Sequence, residues 1–377
     1  MRKRIFAIAI TMNAMAAQAQ SSVTLYGRID NGFRFETGLP GGHRFNAESG
    51  DWGCSWLGLR GAEDLGGGTQ AIFQLESVLN TQTGELWGNL FGRHATIGVA
   101  NPGMGTLKLG NLGAGELSQD SLWVDPQFMQ RYAVSTLVRG RNWASATNGF
   151  EYTSPDLMGL TLKVQYDLTN NYNWNISATP GGQGRTDTIE ATYNVGAAQL
   201  RVIYDELRGA SGTFDNVYVH SRSLMAGGAY TVGPVRFYAG YQHLGAPGAT
   251  NASVGVANAS QPAGITAPTS VDHAWLGAAW RVTGVATVTG GVYHANANHG
   301  NGNGTMYTFG GTYNLSKRTF LYAELGYLHN SSTSNLSLGS DSYGNNNYDP
   351  ATGTAWNDNP VYGHSQAGVF AGIMISF

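Results

Sequence analysis

Apolar and polar residues alternate with a period of two along much of this chain. Val23, Leu25, Ile29, Phe33 and Phe35 share one parity, and Thr24, Tyr26, Arg28, Asp30, Arg34 and Glu36 share the other. Leu57 and Leu59 oppose Trp56 and Arg60, and Ala71, Phe73 and Leu75 oppose Gln70, Gln74 and Glu76. Leu200, Val202 and Tyr204 oppose Arg201 and Asp205, with Ile203 breaking the pattern. At the end, Ala367, Val369, Ala371, Ile373, Ile375 and Phe377 alternate with Gln366, Gly368, Phe370, Gly372, Met374 and Ser376. A period of two puts successive side chains on opposite faces of a strand. Helical periodicity of useful length is missing. Beyond residue 20 no run approaches the roughly 18 apolar residues of a spanning helix. Any membrane crossing by the mature chain must therefore use strands closed into a barrel.

Alternation alone also fits a soluble sandwich. The connections separate the two. Short turns fall at Leu65-Gly-Gly-Gly68, Asn101–Gly105, Ser154–Gly159, Gly196–Ala198, Gly233-Pro234, Thr283-Gly284 and Ser316–Arg318. Long connections fall at Thr37–Asp51, Asn80–Leu90, Asn111–Ser145, Thr169–Arg185, Leu207–Val219, Leu244–Ser270, Asn296–Gly304 and Asn330–His364. Short and long alternate, and together they join sixteen strands. An even strand count with turns on one side and loops on the other predicts a 16-stranded antiparallel transmembrane β-barrel. No domain boundary interrupts it, and the polar stretch Asn330–Tyr362 reads as an external loop.

Composition strengthens this picture. Charged residues make up 12% of the chain, against about a quarter in typical soluble domains. A barrel tolerates this because its lipid-facing band carries no charge. The formal net charge is −3, which gives no footprint for nucleic acid. Cys54 is the one cysteine, so an intramolecular disulfide is excluded. Arg2, Lys3 and Arg4, the apolar stretch Ile5–Met15 and Ala17-Gln18-Ala19 form the n-region, h-region and cleavage triplet of an export signal. Residues 1–19 are thus expected to be a leader and 20–377 the barrel.

The sequence resembles the trimeric general-diffusion porins of Gram-negative bacteria, of the β-proteobacterial type. The resemblance rests on Ser21–Gly27 with Asp30, Leu57–Gly68, Phe73-Gln-Leu-Glu76, Phe91-Gly-Arg-His-Ala95 and Gly105–Gly110. Asn148 with Tyr152 and Pro155, Asn314–Thr319 and terminal Phe377 continue it. It implies a homotrimer in outer-membrane lipid passing ions and small hydrophilic solutes. It also implies a third loop, here Asn111–Ser145, folded into the pore. By position in these motifs, Arg93 resembles a wall arginine, Glu76 an inward acid and Arg60 a basic wall residue. Asp120 and Asp125 stand in the inward loop, where Arg139 or Arg141 could add positive charge. Trp56, Asn111 and Ser145 replace residues that are often basic in the family, so the sign of selectivity stays open.

The expected constriction thus comprises Arg60, Glu76, Arg93, Asp120, Asp125 and Arg141, with Arg28, Asp30, Arg34 and Trp56 elsewhere in the lumen. A diffusion pore needs a field and no covalent chemistry; charges facing one another across a narrow lumen focus that field. No catalytic residue, cofactor or metal is expected. Gly363-His-Ser-Gln-Ala367 only imitates a nucleophile elbow, because a strand follows it and too little chain remains for a partner histidine. His294 and His299 lack a third ligand at useful spacing. Two rival readings remain: a substrate-selective channel, for which Trp56 would suit a sugar, and a non-channel barrel serving as enzyme or adhesin.

Overall fold

The computed structural model describes residues 22–114, 120–128, 131–167, 185–209, 211–250, 262–300, 302–339, 347–348, 355–356 and 358–377. The expected leader lies outside the described residues, as do parts of several long connections. Seventeen strand segments form one sheet. They are β1 Ser22–Leu39, β2 Gly42–Glu48, β3 Ser55–Gly66, β4 Thr69–Leu79, β5 His94–Asn101, β6 Gly105–Asn111, β7 Gly149–Thr153 and β8 Leu160–Asp167. β9 Arg185–Val195, β10 Ala198–Arg208, β11 Arg222–Val232, β12 Val235–Gly245 and β13 Ser270–Arg281 follow. β14 Ala286–Ala297, β15 Gly304–Asn314, β16 Thr319–Asn330 and β17 Gln366–Ser376 complete the ring.

Neighbours pair antiparallel all the way round. The ring closes where β17 pairs with β1, from Arg28 opposite Ser376 to Thr37 opposite Ala367. Phe377 exchanges two backbone hydrogen bonds with Gly27, of 3.2 and 3.1 Å. The barrel has 16 strands because β2 and β3 share one row. β3 pairs with the first half of β1, and β2 pairs with the second half on the same edge. This corrects one expected loop. Thr37–Asp51 is chiefly a hairpin: β1 runs to Leu39, turns, and returns as β2. Its apolar positions are sparse, since Arg44 and Glu48 point at other charges, so the alternation that marks a strand is weak there.

The outer parity is apolar. Val23, Leu25, Ile97, Leu109, Ile189, Leu200, Leu276, Phe309 and Ile373 are all exposed on it. In water each would forgo about 1.5–3 kcal/mol of burial; against hydrocarbon that loss disappears. Phe33, Phe35, Tyr193, Tyr204, Tyr313 and Phe377 are also exposed, as aromatic girdle positions require. Tyr322 is an exception among the aromatics near strand ends. It turns inward, is 4% exposed, and donates its hydroxyl to Asp30 Oδ1 at 2.5 Å.

The third loop, between β6 and β7, fills part of the lumen. Val124, Tyr132, Val134, Leu137 and Val138 on the loop pack with Ile203, Met225, Leu244, Val271, Met306, Leu328 and Phe370 on the wall. This explains Ile203: inward apolar residues occur where the loop covers the wall. Close approach also requires glycine. A Cβ on Gly326 would lie 2.6 Å from Tyr132 Cδ2, and one on Gly277 2.5 Å from Pro126 Cγ.

Candidate functional site

Strand register builds the uncovered inner wall in rows. Thr24, Arg60, Gln74 and Thr96 are successive partners across β1, β3, β4 and β5. One step up come Tyr26, Gly58, Glu76 and His94, and above them Arg28 beside Trp56. Glu76 is the hub. It accepts from the Tyr26 hydroxyl at 2.6 Å and from Gln74 Nε2 at 2.8 Å. Its Oε2 lies 2.8 Å from Arg93 Nε and 3.7 Å from His94 Nε2. The Arg93 guanidinium also covers the Trp56 ring at 5.4 Å. Arg28 donates to the Cys54 carbonyl at 2.8 Å. Arg60 is exposed and lies over the Tyr26 ring at 4.6 Å. Neither Arg28 nor Arg60 is ion-paired among the described residues. Farther round, Lys108 meets Glu151 at 3.0 Å. Asp120, at the start of the loop, meets Lys163 and Arg201 at 2.5 Å each, and Arg201 also holds Glu190 at 2.5 Å.

The loop is fastened chiefly across the ring from β3–β7, with further ties to β1 and the β2–β3 connection. Trp275 Nε1 donates to the Val124 carbonyl at 2.7 Å, and Gln127 Nε2 donates to Thr308 Oγ1 at 2.8 Å. Asn142 and Gln242 exchange two bonds, of 3.2 and 2.9 Å. Arg131 pairs with Asp51 at 2.5 Å, and the Tyr132 hydroxyl donates to Glu36 at 3.2 Å. Two expected constriction residues belong to this fastening. Asp125 is fully buried and accepts from the Tyr293 hydroxyl at 2.6 Å and the Val134 amide at 3.0 Å. Arg141 is buried against Asp205 and donates to Ser221 Oγ at 3.0 Å and the Ser221 carbonyl at 2.8 Å. Loss of water pulls the Arg141 pKa down, and Asp205 opposes that pull. Burial and nearby Glu36 drive the Tyr132 phenol well up, so it stays a donor.

Asp30 and Arg34 are likewise part of the wall's own structure. Asp30 accepts from the Gly53 amide at 2.8 Å as well as from Tyr322, and Arg34 pairs with Glu48 and, at 3.6 Å, with Glu36. Trp56 is partly buried and meets Tyr26 edge-on, with ring centroids 5.0 Å apart. The charges that sequence reasoning missed are Lys108, Glu151, Lys163, Glu190 and Arg201. Each has a local signal, because it stands on the inward parity between two apolar residues, as in Leu107-Lys108-Leu109 and Leu162-Lys163-Val164. The Arg131–Asp51 and Arg44–Asp358 contacts (2.8 Å for the latter) have none, because they join distant loops.

A closed barrel with an apolar exterior, a charged inner wall and an inward loop matches what comparison finds. The model of a Gram-negative porin family matches residues 6–333. The chain belongs to the Gram-negative porin family. An outer membrane porin of Bordetella pertussis is 29% identical over 381 residues, covering 88% of this chain and 95% of that protein. The solved anion-selective porin from Comamonas acidovorans has a TM-score of 0.75 at 23% identity, covering 95% of this chain and all of the other. The trimer form of an outer membrane protein of Vibrio cholerae has a TM-score of 0.59 at 14% identity, covering 95% and 99%. This porin is thus an outer-membrane channel for passive diffusion and not an enzyme.

Proposed function

We propose that this porin passes small hydrophilic solutes with a preference for anions, set on the β1–β7 arc by Arg28, Arg60 and Arg93 with Lys108 beside them. The observation that carries the reading is Arg28 and Arg60: both face the lumen, and neither forms a salt bridge among the described residues, although the charge of Asp30 acts on Arg28. Glu76 and Glu151 offset Arg93 and Lys108, so the two remaining guanidiniums leave the uncovered wall positive. Low-dielectric walls focus such a field across the gap to the loop. The Comamonas acidovorans protein is itself an anion-selective porin, which supports the same sign. A homotrimer follows by analogy with the trimer form of the Vibrio cholerae protein, with the apolar exterior meeting outer-membrane lipid and neighbouring copies. Planar-bilayer recording under a KCl gradient tests the selectivity. A reversal potential on the chloride side is expected, and one on the potassium side refutes it. Crosslinking of the folded protein should give a trimer; a purely monomeric pattern would reject the assembly.

A further inference from the structure

Guanidinium groups and aromatic rings alternate on the inner face of β1, β3 and the approach to β5. Arg60 lies over Tyr26 at 4.6 Å, Tyr26 meets Trp56 edge-on at 5.0 Å, and Arg93 lies over Trp56 at 5.4 Å. Arg28 is the register partner of Trp56. Attraction of simple anions requires only the guanidiniums. The rings lie under the Arg60 and Arg93 guanidiniums and add apolar surface to a wall otherwise lined by polar groups.

We propose that this ladder is a transient binding station for planar aromatic carboxylates, of which benzoate is the simplest. The proposal deepens the anion preference argued above and rests on it. A guanidinium is planar, grips a carboxylate through two parallel N–H bonds, and stacks on aromatic faces. Arg60 is exposed and forms no salt bridge among the described residues, so it offers the two-bond carboxylate grip; Arg28, whose Nε donates to the Cys54 carbonyl, adds its charge and its remaining N–H groups. The solute ring stacks on the outer face of a guanidinium already seated on Tyr26 or Trp56, or meets the partly exposed rings edge-on. An aliphatic acid of equal size gains the charge contact without the stacking. A neutral sugar is served poorly. The carboxylate within the ladder, Glu76, is already engaged by Tyr26, Gln74 and Arg93. Transport needs residence short enough to leave, so binding at millimolar concentration suits the role.

The experiment compares benzoate with cyclohexanecarboxylate as blockers of KCl current through the reconstituted full-length protein. Benzoate should half-block at a concentration about two- to fivefold lower, the ratio expected from one cation–π contact. In Trp56→Leu the ratio should fall towards one. In Trp56→Phe, which keeps a ring, it should stay above one. The ratio is taken within each protein, so changes in open-channel current cancel. A conducting, anion-preferring channel that meets both acids equally overturns the ladder alone, as does an undiminished ratio in Trp56→Leu. Should a variant fail to insert, the two acids on the unaltered protein still decide. A channel without anion preference overturns the underlying selectivity reading as well.

Discussion

Arg141 on the third loop is buried and held by Asp205 and Ser221, whereas Arg60 on β3 is exposed to the lumen and rests on the face of Tyr26. Both arginines lie inside one barrel, yet their environments give them unlike roles. A buried guanidinium needs a carboxylate, because desolvation costs several kcal/mol per ion. That carboxylate cancels its field at short range. A hydrated guanidinium needs no partner, and its field extends about 8–10 Å into the lumen at physiological ionic strength. The covered arc, from β10 through β17 into the second half of β1 and the β2–β3 connection, thus uses Asp205, Glu36 and Asp51 to seat the loop. The open arc, from the first half of β1 and β3 to β7, leaves Arg28 and Arg60 available to solutes. Width and selectivity are set on opposite sides of one lumen.

Breaking the covered arc gives the largest expected effect. Arg141→Leu strands Asp205 in a buried site and should cost about 3–5 kcal/mol. A lower melting temperature and a larger single-channel conductance should accompany it, as the loop leaves its seat. Arg141→Leu with Asp205→Leu should recover most of that stability, since removal of a whole buried pair is often near neutral. Gly326→Val comes next. Its side chain would meet Tyr132, where a Cβ already approaches to 2.6 Å. Overpacking of this kind costs about 1–3 kcal/mol, and the same two measurements report it. On the open arc, Arg60→Ser should leave stability within about 0.5 kcal/mol, as exposed sites do, while the reversal potential moves towards the cation side. The smallest effect comes from salt alone. Raising KCl from about 0.1 to 1 M shortens the Debye length from about 10 to 3 Å, so measured anion preference should fall without any mutation.

The same contrast explains what the sequence reveals. Strand placement and the short turns were legible because lipid outside and water inside impose a strict period of two, visible in Val23–Phe35 and in the final strand. Glu76, Arg60 and Arg93 could be placed on the inner wall from parity and motif context. The loop's seat could not. Ile203 looks like an error in an alternating strand until Val124 and its neighbours are seen to cover that part of the wall. Asp125 and Arg141 look like pore charges because chain position says only that they belong to the loop. Their burial depends on Tyr293, Asp205 and Ser221, which lie far along the chain. β2 was hidden for a related reason, since Arg44 and Glu48 face ionic partners and erase its apolar parity.

The division of labour between the arcs is tested most directly by reversal potentials under one KCl gradient, measured for two paired variants. Arg28→Ser with Arg60→Ser removes the two guanidiniums of the open arc that form no salt bridge among the described residues, and its reversal potential should move towards that of potassium. Arg141→Leu with Asp205→Leu removes a neutral pair from the covered arc, and it should keep the unaltered protein's value. An equal shift in both, or a shift only in the second, would contradict the account.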